Sequence, residues 1–275
     1  MKKTLCLLCL LIFVACSGTY QQPSLYEKDA NKMLERANKA LLQGDYPKSM
    51  SYLDDAILMA NANNLPNIKI KALLQKAQLM LSVGMKNDAQ YFIKEAKEVS
   101  QKEVIDYLPY VNYSEALYLW EIGKPQEAKN TIKDFEKMPK DLEPSYYNLL
   151  ALLEISSDNI SKGMEYIEKA EKSAIREENF EQQSYANKLM AHLAFKSHNY
   201  KDAIDFGKKA LSIDRKTGNR EAILWNVELL GTAYKEAGDK DSAFYYYYQG
   251  YELSVATNNR KKRDFFLEQA SGVLK

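Results

Sequence analysis

Small residues recur in this chain at a fixed period, and no other feature constrains its fold as strongly. Ala37, Ala77, Ala116, Ala151, Ala191 and Gly231 are separated by 40, 39, 35, 40 and 40 residues. A second series (Ser49, Ala89, Ala128, Gly163, Ala203, Ala243) and a third (Ala56, Ala96, Phe135, Ala170, Ala210, Gly250) step by the same five numbers. Within every unit the intervals are 12 and 7. A period held over six copies marks stacked units, each too small to bury its own apolar face.

The intervals have a helical explanation. Seven residues make two turns, so the second and third positions share one face of a helix. Twelve residues reach back across a break, and the break carries Gly44, Gly84, Gly123, Asp158, His198 and Gly238 at one phase. Glycine suits the left-handed end of a helix, and Asp and His accept it at some cost. Each unit therefore reads as helix, tight turn, helix, with small side chains where the two helices cross. The composition agrees: 11 Gly and 7 Pro in 275 residues are too few for a sandwich or barrel that turns every ten residues.

This register resembles the tetratricopeptide repeat from residue 24 to the carboxyl end. The clearest copy runs from Trp225 to Tyr234 and continues through Gly238-Asp239 to Ala243, with Leu230, Gly231, Tyr234 and Ala243 at the signature places; Gly44-Asp45-Tyr46 is the family's common turn. Phe135 and Gly250 depart from the usual Ala, and a spacing near 40 exceeds the family's 34, which looks like the subclass with lengthened helices. The resemblance implies an all-α, right-handed α-solenoid of six helix-turn-helix repeats at about 30–63, 70–103, 109–142, 144–177, 184–217 and 224–257. A capping helix follows over 261–274.

The amino terminus is a separate module. Lys2 and Lys3 precede an unbroken apolar run over 5–15, too short to span a bilayer and right for the core of a signal peptide. The sequence Phe13-Val14-Ala15-Cys16 resembles a bacterial lipoprotein signal, in which the cysteine receives the lipid. Cys6, Cys9 and Cys16 are the three cysteines of the chain, so cleavage after Ala15 leaves Cys16 alone. The layout expected is signal peptide 1–15, lipidated Cys16 and tether 16–23, and repeat domain 24–275. Ser17 after the cysteine resembles the sorting pattern for the outer membrane, which places the chain in the cell envelope facing the periplasm.

Charge and chemistry narrow the function classes. Loss of Lys2 and Lys3 leaves 36 basic against 37 acidic residues, with no global field for nucleic acid. Only His192 and His198 supply imidazole, six residues apart, which is not the i, i+4 spacing of a helical metal pair. No glycine-rich phosphate loop or nucleophile motif occurs. The expectation is a non-enzyme with no cofactor and no metal.

In the tetratricopeptide family ligands lie on the concave face, reached from first-helix positions between the core positions. That resemblance points to Tyr110, Tyr113, Leu117, Trp120, Leu152, Tyr185, His192, Phe195 and Trp225 as a partner-binding groove, with Tyr110, Tyr113 and Trp120 as anchors. An apolar groove with Tyr and Trp has the composition of a protein-binding hot spot for an amphipathic helix or an extended segment. The Lys, Asn and Arg clamp that some members use for a carboxyl-terminal peptide has no counterpart at these positions. The reading is a membrane-anchored interaction scaffold; alternatives are a pilotin-like or outer-membrane assembly factor, and a lipid or small-molecule carrier that would need the groove closed into a pocket. Tyr245 to Tyr248 cannot all face inward, so Tyr247 and Tyr251 are expected in the core with Tyr245 or Tyr246 outside. The basic run Arg260-Lys261-Lys262-Arg263 reads as a solvated face.

Overall fold

A computed structural model describes residues 24–132 and 138–274. The apolar run, Cys16 and the tether lie outside the described residues, as does Phe135. The described residues form thirteen α-helices, of which the first twelve pair as α1 (Leu25–Leu42) with α2 (Tyr46–Ala62), α3 (Pro66–Ser82) with α4 (Lys86–Glu103), α5 (Leu108–Glu121) with α6 (Pro125–Thr131), α7 (Glu143–Ser156) with α8 (Ile160–Arg176), α9 (Phe180–Lys196) with α10 (Tyr200–Thr217), and α11 (Arg220–Glu236) with α12 (Lys240–Ala256). The thirteenth, α13 (Arg260–Val273), caps the stack. This is an all-α solenoid of six helix pairs, as the sequence register requires, and none of its helices is long and apolar enough to cross a membrane.

One turn design joins most of the helices. Gly44, Gly84, Gly123, Asp158, His198 and Gly238 all adopt positive φ, between 56° and 84°. The junctions between units repeat the device at Asn64, Glu178, Gly218 and Asn258. After each of these ten residues the next amide donates to the carbonyl five residues back: Asp45 to Ala40, Asn199 to Ala194 and Asp239 to Tyr234 are examples. That bond closes the preceding helix. The same donor residue then caps the following helix at Asp45, Asn179, Asn199, Asn219, Asp239 and Asn259, as when Asp239 accepts from the Ser242 amide and Asn259 from the Lys262 amide, whereas Asn159 gives its side-chain amide to Glu154 instead. Proline is placed with equal economy: Pro47, Pro66, Pro109, Pro125 and Pro144 sit in the first two positions of helices, where no intrahelical amide bond is lost.

All seventeen described members of the three small-residue series are buried. Ser49 ties two of them together by donating to the Ala37 carbonyl at 2.9 Å, inside the α1–α2 crossing. Glycine replaces alanine where a large side chain fills the crossing: Ile155 at Gly163, and an aromatic ring at Gly231 and Gly250. A Cβ on Gly231 would lie 2.7 Å from the Tyr247 ring, and one on Gly250 would run into Phe266 of the cap. The departure of Gly250 from the repeat pattern is thus a packing requirement of the cap. Tyr247 is buried, Phe244, Tyr246 and Tyr251 are half-buried, and Tyr245 and Tyr248 are exposed. Lys262 of the basic run is not merely solvated: it pairs with Glu228 on α11 at 2.7 Å and so pins the cap to the sixth unit.

The solenoid curls until its ends meet. The Tyr46 hydroxyl lies 3.3 Å from Glu221 Oε1, and Arg220 reaches the Gln43 carbonyl at 3.5 Å. The turn of the first unit therefore rests on the start of the sixth, and six units complete one superhelical turn around a central lumen.

Candidate functional site

The walls of that lumen are built chiefly by the first helices of the second to fifth pairs, α3, α5, α7 and α9. On α5, α7 and α9 the lining side chains come from positions six or three residues before the small core residue or one after it: Tyr113 and Leu117 on α5, Ser145, Asn148 and Leu152 on α7, and Tyr185 and Lys188 on α9, while Tyr110 and His192 at the same positions stay outside. These side chains, with Leu74 and Gln78 of α3, line two adjoining cavities of about 210 and 200 Å³. The two share Gln78, Tyr113, Leu117, Glu181 and Gln182. Asn219, at the start of the sixth unit, closes the second cavity opposite Gln78 of the second unit. Residues far apart in the stack face one space because of the curl.

Of the nine expected groove residues, the structure brings Tyr113, Leu117, Leu152 and Tyr185 together here. Trp120 packs instead against the core shared by the third and fourth units, beside Ala116, Ala128 and Ile132. Tyr110 bonds through its hydroxyl to Asp141 at 2.7 Å and leans on Tyr107, so it staples the loop before α7. The Phe195 ring packs against Tyr200, 5.7 Å between centroids, next to the core of the sixth unit. His192 is half-buried, and burial together with Lys196 holds its imidazole below the usual range. Trp225, 38% exposed, borders neither cavity. An aromatic side chain on the first helix of a unit serves packing between units as readily as the lumen, which is why Tyr110 and Trp120 lie away from the two cavities.

The electrostatics of the lumen centre on Glu181, in the first turn of α9. The side chain is exposed to the lumen, yet partial desolvation by the surrounding walls pushes its carboxyl above the ordinary range, while Lys188 lowers it and Asp214 raises it. Glu181 forms no ion pair or hydrogen bond with any described residue. Lys188 is already spent on Asp214, 3.0 Å away and buried, which also accepts from Asn226 at 2.6 Å. Burial first, and the charge of Glu181 as well, push the Tyr113 phenol up to about 12 against the lowering effect of the Ser145 hydroxyl. Burial, Tyr113 and the charge of Glu121 push Tyr185 up too, so both phenols stay neutral at physiological pH. Asn148 is buried; its amide nitrogen donates to the Gln182 carbonyl at 3.1 Å and to the Gln182 side chain at 3.0 Å. A backbone carbonyl can only accept, which fixes that orientation and leaves Asn148 Oδ1 without a donor.

Glu181 and Gln182 are absent from the expected groove. The repeat register starts the fifth unit at 184, whereas α9 begins at Phe180, so one further helical turn carries Glu181 to the lumen. Its sequence signal is ambiguous because acidic residues are favoured in first turns by the helix dipole. Among the described residues no three His, Cys, Asp or Glu gather as a metal site. His198 instead places Nδ1 2.9 Å from the Tyr200 hydroxyl in a surface turn.

Residues 183–254, the fifth and sixth units, match the family model described as a tetratricopeptide repeat. No curated protein matches the sequence. Three solved structures share the fold. BtubC (BKLC) from P. vanneervenii is 15% identical, with a TM-score of 0.54 over 86% of this chain and 93% of that one. The STAND protein PH0952 from Pyrococcus horikoshii, which has a tetratricopeptide repeat sensor, is also 15% identical with a TM-score of 0.54, over 90% of this chain and 39% of that one. PilW, a type IV pilus biogenesis factor, is 14% identical with a TM-score of 0.50, over 87% and 99%.

Proposed function

We propose that this chain, a tetratricopeptide repeat protein, is a membrane-anchored interaction scaffold of the bacterial cell envelope that holds a segment of a protein partner in its lumen. One observation carries the reading: first-helix side chains from the second to the fifth unit, with Asn219 from the start of the sixth, converge on one space that mixes Tyr113, Leu117, Leu152 and Tyr185 with hydrogen-bonding groups. Aromatic and apolar walls with a few polar groups are what a peptide-binding surface needs. The cavities are also far smaller than an α-helix, whose diameter with side chains is about 10 Å. The occupant is therefore an extended or loop segment and not an amphipathic helix. The same size and polarity argue against an acyl chain, and so against the lipid-carrier alternative.

The anchor half of the proposal rests on the sequence, through Lys2-Lys3, the apolar run over 5–15 and Cys16. Acylation with two or more chains would hold the protein stably at the membrane surface. The shared fold of PilW makes pilus assembly one pathway in which to look for the partner.

The test is site-specific photocrosslinking in the native host. A photoreactive residue at Tyr185 should capture one protein, and the same residue at the outward-facing Tyr245 should not. Equal capture from both positions, or none from Tyr185, would overturn the lumen reading. Cys16→Ser should release the protein from membranes, and retention of that variant would overturn the anchor.

A further inference from the structure

We propose that the lumen is a socket for one lysine side chain of the partner segment, with Glu181 as its counter-ion and Tyr113 and Tyr185 as its walls. The inference rests on the scaffold reading and names the chemistry the lumen selects. Charge complementarity carries it. Lys188 and Asp214 neutralise one another at 3.0 Å, which leaves the Glu181 carboxylate as an unmatched negative charge where the two cavities join. Glu181 is open to the lumen and has no donor of its own among the described residues, so its charge is free to pair with an entering cation. The neutral tyrosine rings beside it are walls that favour one further, through their negative faces.

Several details point to an ammonium rather than a guanidinium. The acceptors around the space are dispersed over three helices: Gln78 on α3, the Tyr113 hydroxyl on α5 and Glu181 on α9. Three rotatable N–H donors on a compact charge suit dispersed acceptors, whereas the planar fork of arginine suits a single bidentate one. Each cavity, at about 200 Å³, admits one long side chain and not a folded element.

The test uses the full chain, labelled with nitrogen-15, and titrates in the blocked peptide acetyl-Ala-Lys-Ala-amide. Saturable shifts are expected at the amides of Gln182 and Tyr185. The same peptide with norleucine for lysine should produce none, and Glu181→Gln should weaken the lysine peptide at least tenfold while leaving the spectrum folded. Equal binding of the norleucine peptide, or unchanged affinity in Glu181→Gln, would overturn the socket. So would shifts with spermidine but not with the peptide, since the site would then take a free amine. The scaffold reading has its own readout: if Tyr185 crosslinking still captures the partner at full yield in Glu181→Gln, the socket fails and the scaffold stands. If crosslinking captures nothing while the lysine peptide binds, the scaffold fails alone.

Discussion

The Tyr46 hydroxyl and the Glu221 carboxylate meet at 3.3 Å although 175 residues separate them. With Arg220 on the Gln43 carbonyl, this contact latches the first unit to the sixth and turns an open solenoid into a ring. Both partners lie at the surface, where a single pair of this kind contributes only about 0.5 kcal/mol. The latch therefore closes the ring without locking it.

The Tyr46→Phe, Arg220→Ala double variant should melt within a few degrees of the parent and yet open more often. Spin labels at Lys48→Cys and Lys261→Cys, in a background with Cys6, Cys9 and Cys16 changed to Ser, would report the gap. A longer and broader distance distribution in the double variant is the expected result, and an unchanged distribution would show that packing along the stack alone sets the curl.

Glu181→Gln should raise stability slightly at neutral pH, the gain being small because the side chain is open to lumen water. Partial desolvation lifts the folded carboxyl above its unfolded value, so the unfolded chain ionises more readily, and above both values the charge costs folding free energy. Below the unfolded value of about 4.3 both states are neutral and the difference disappears. Melting curves of parent and variant should thus separate at pH 7 to 8 and converge as the pH falls. Bound lysine peptide should reverse their order, because the parent alone gains the cation.

The fold was largely legible because small residues at helix crossings and left-handed turn residues obey local rules. Gly44 through Gly238 take the turn conformation their phase requires, and even Asp158 and His198 adopt it. The site was half legible. Tyr113, Leu117, Leu152 and Tyr185 follow from the same register, but Trp120 and Tyr110 share that register and serve the joint between the third and fourth units. Helical phase says which way a residue leaves its helix. It does not say whether the next unit already occupies that direction, and the curl that brings Asn219 opposite Gln78 is a sum of small rotations written in no single repeat.

Gly250→Ala should destabilise the cap by about 2 kcal/mol, since the added methyl meets the buried Phe266 ring in a filled crossing. Phe266→Leu in the same chain should recover part of the loss by vacating the ring's volume. Urea denaturation of the two single variants and the double variant measures the coupling, and strictly additive losses would mean that the ring and the glycine do not oppose each other.

Helix caps predict where the stack opens first. Side-chain caps close the starts of α9, α10, α11, α12 and α13, whereas α3 through α8 start without one. Each cap contributes about 1 kcal/mol. Amide hydrogen exchange should be slowest in the fifth and sixth units and faster in the second to fourth, with α6, only seven residues long, among the earliest to exchange. Uniform protection would mean that the six units unfold together.

The joint between the third and fourth units should be the acid-sensitive one. Glu154 on α7 is 3% exposed, and Lys129 of α6 meets it at 2.6 Å, with Asn159 donating to its other oxygen at 3.1 Å and Lys162 3.8 Å away. Burial alone would raise the Glu154 carboxyl, but the bond and charge of Lys129, then Lys162 and Asn159, bring it below the usual range. A depressed carboxyl stabilises the fold above its unfolded value, and that stability is lost as the pH falls from the unfolded value of about 4.3 through the folded one. Lys129→Met should therefore cost about 3 kcal/mol at pH 7, because it strands most of a buried charge, and much less at pH 3. Lys129→Met combined with Glu154→Gln should cost less at pH 7 than Lys129→Met alone, since no charge remains to be stranded. If the single variant loses as much at pH 3 as at pH 7, the joint is held by packing and not by the ion pair.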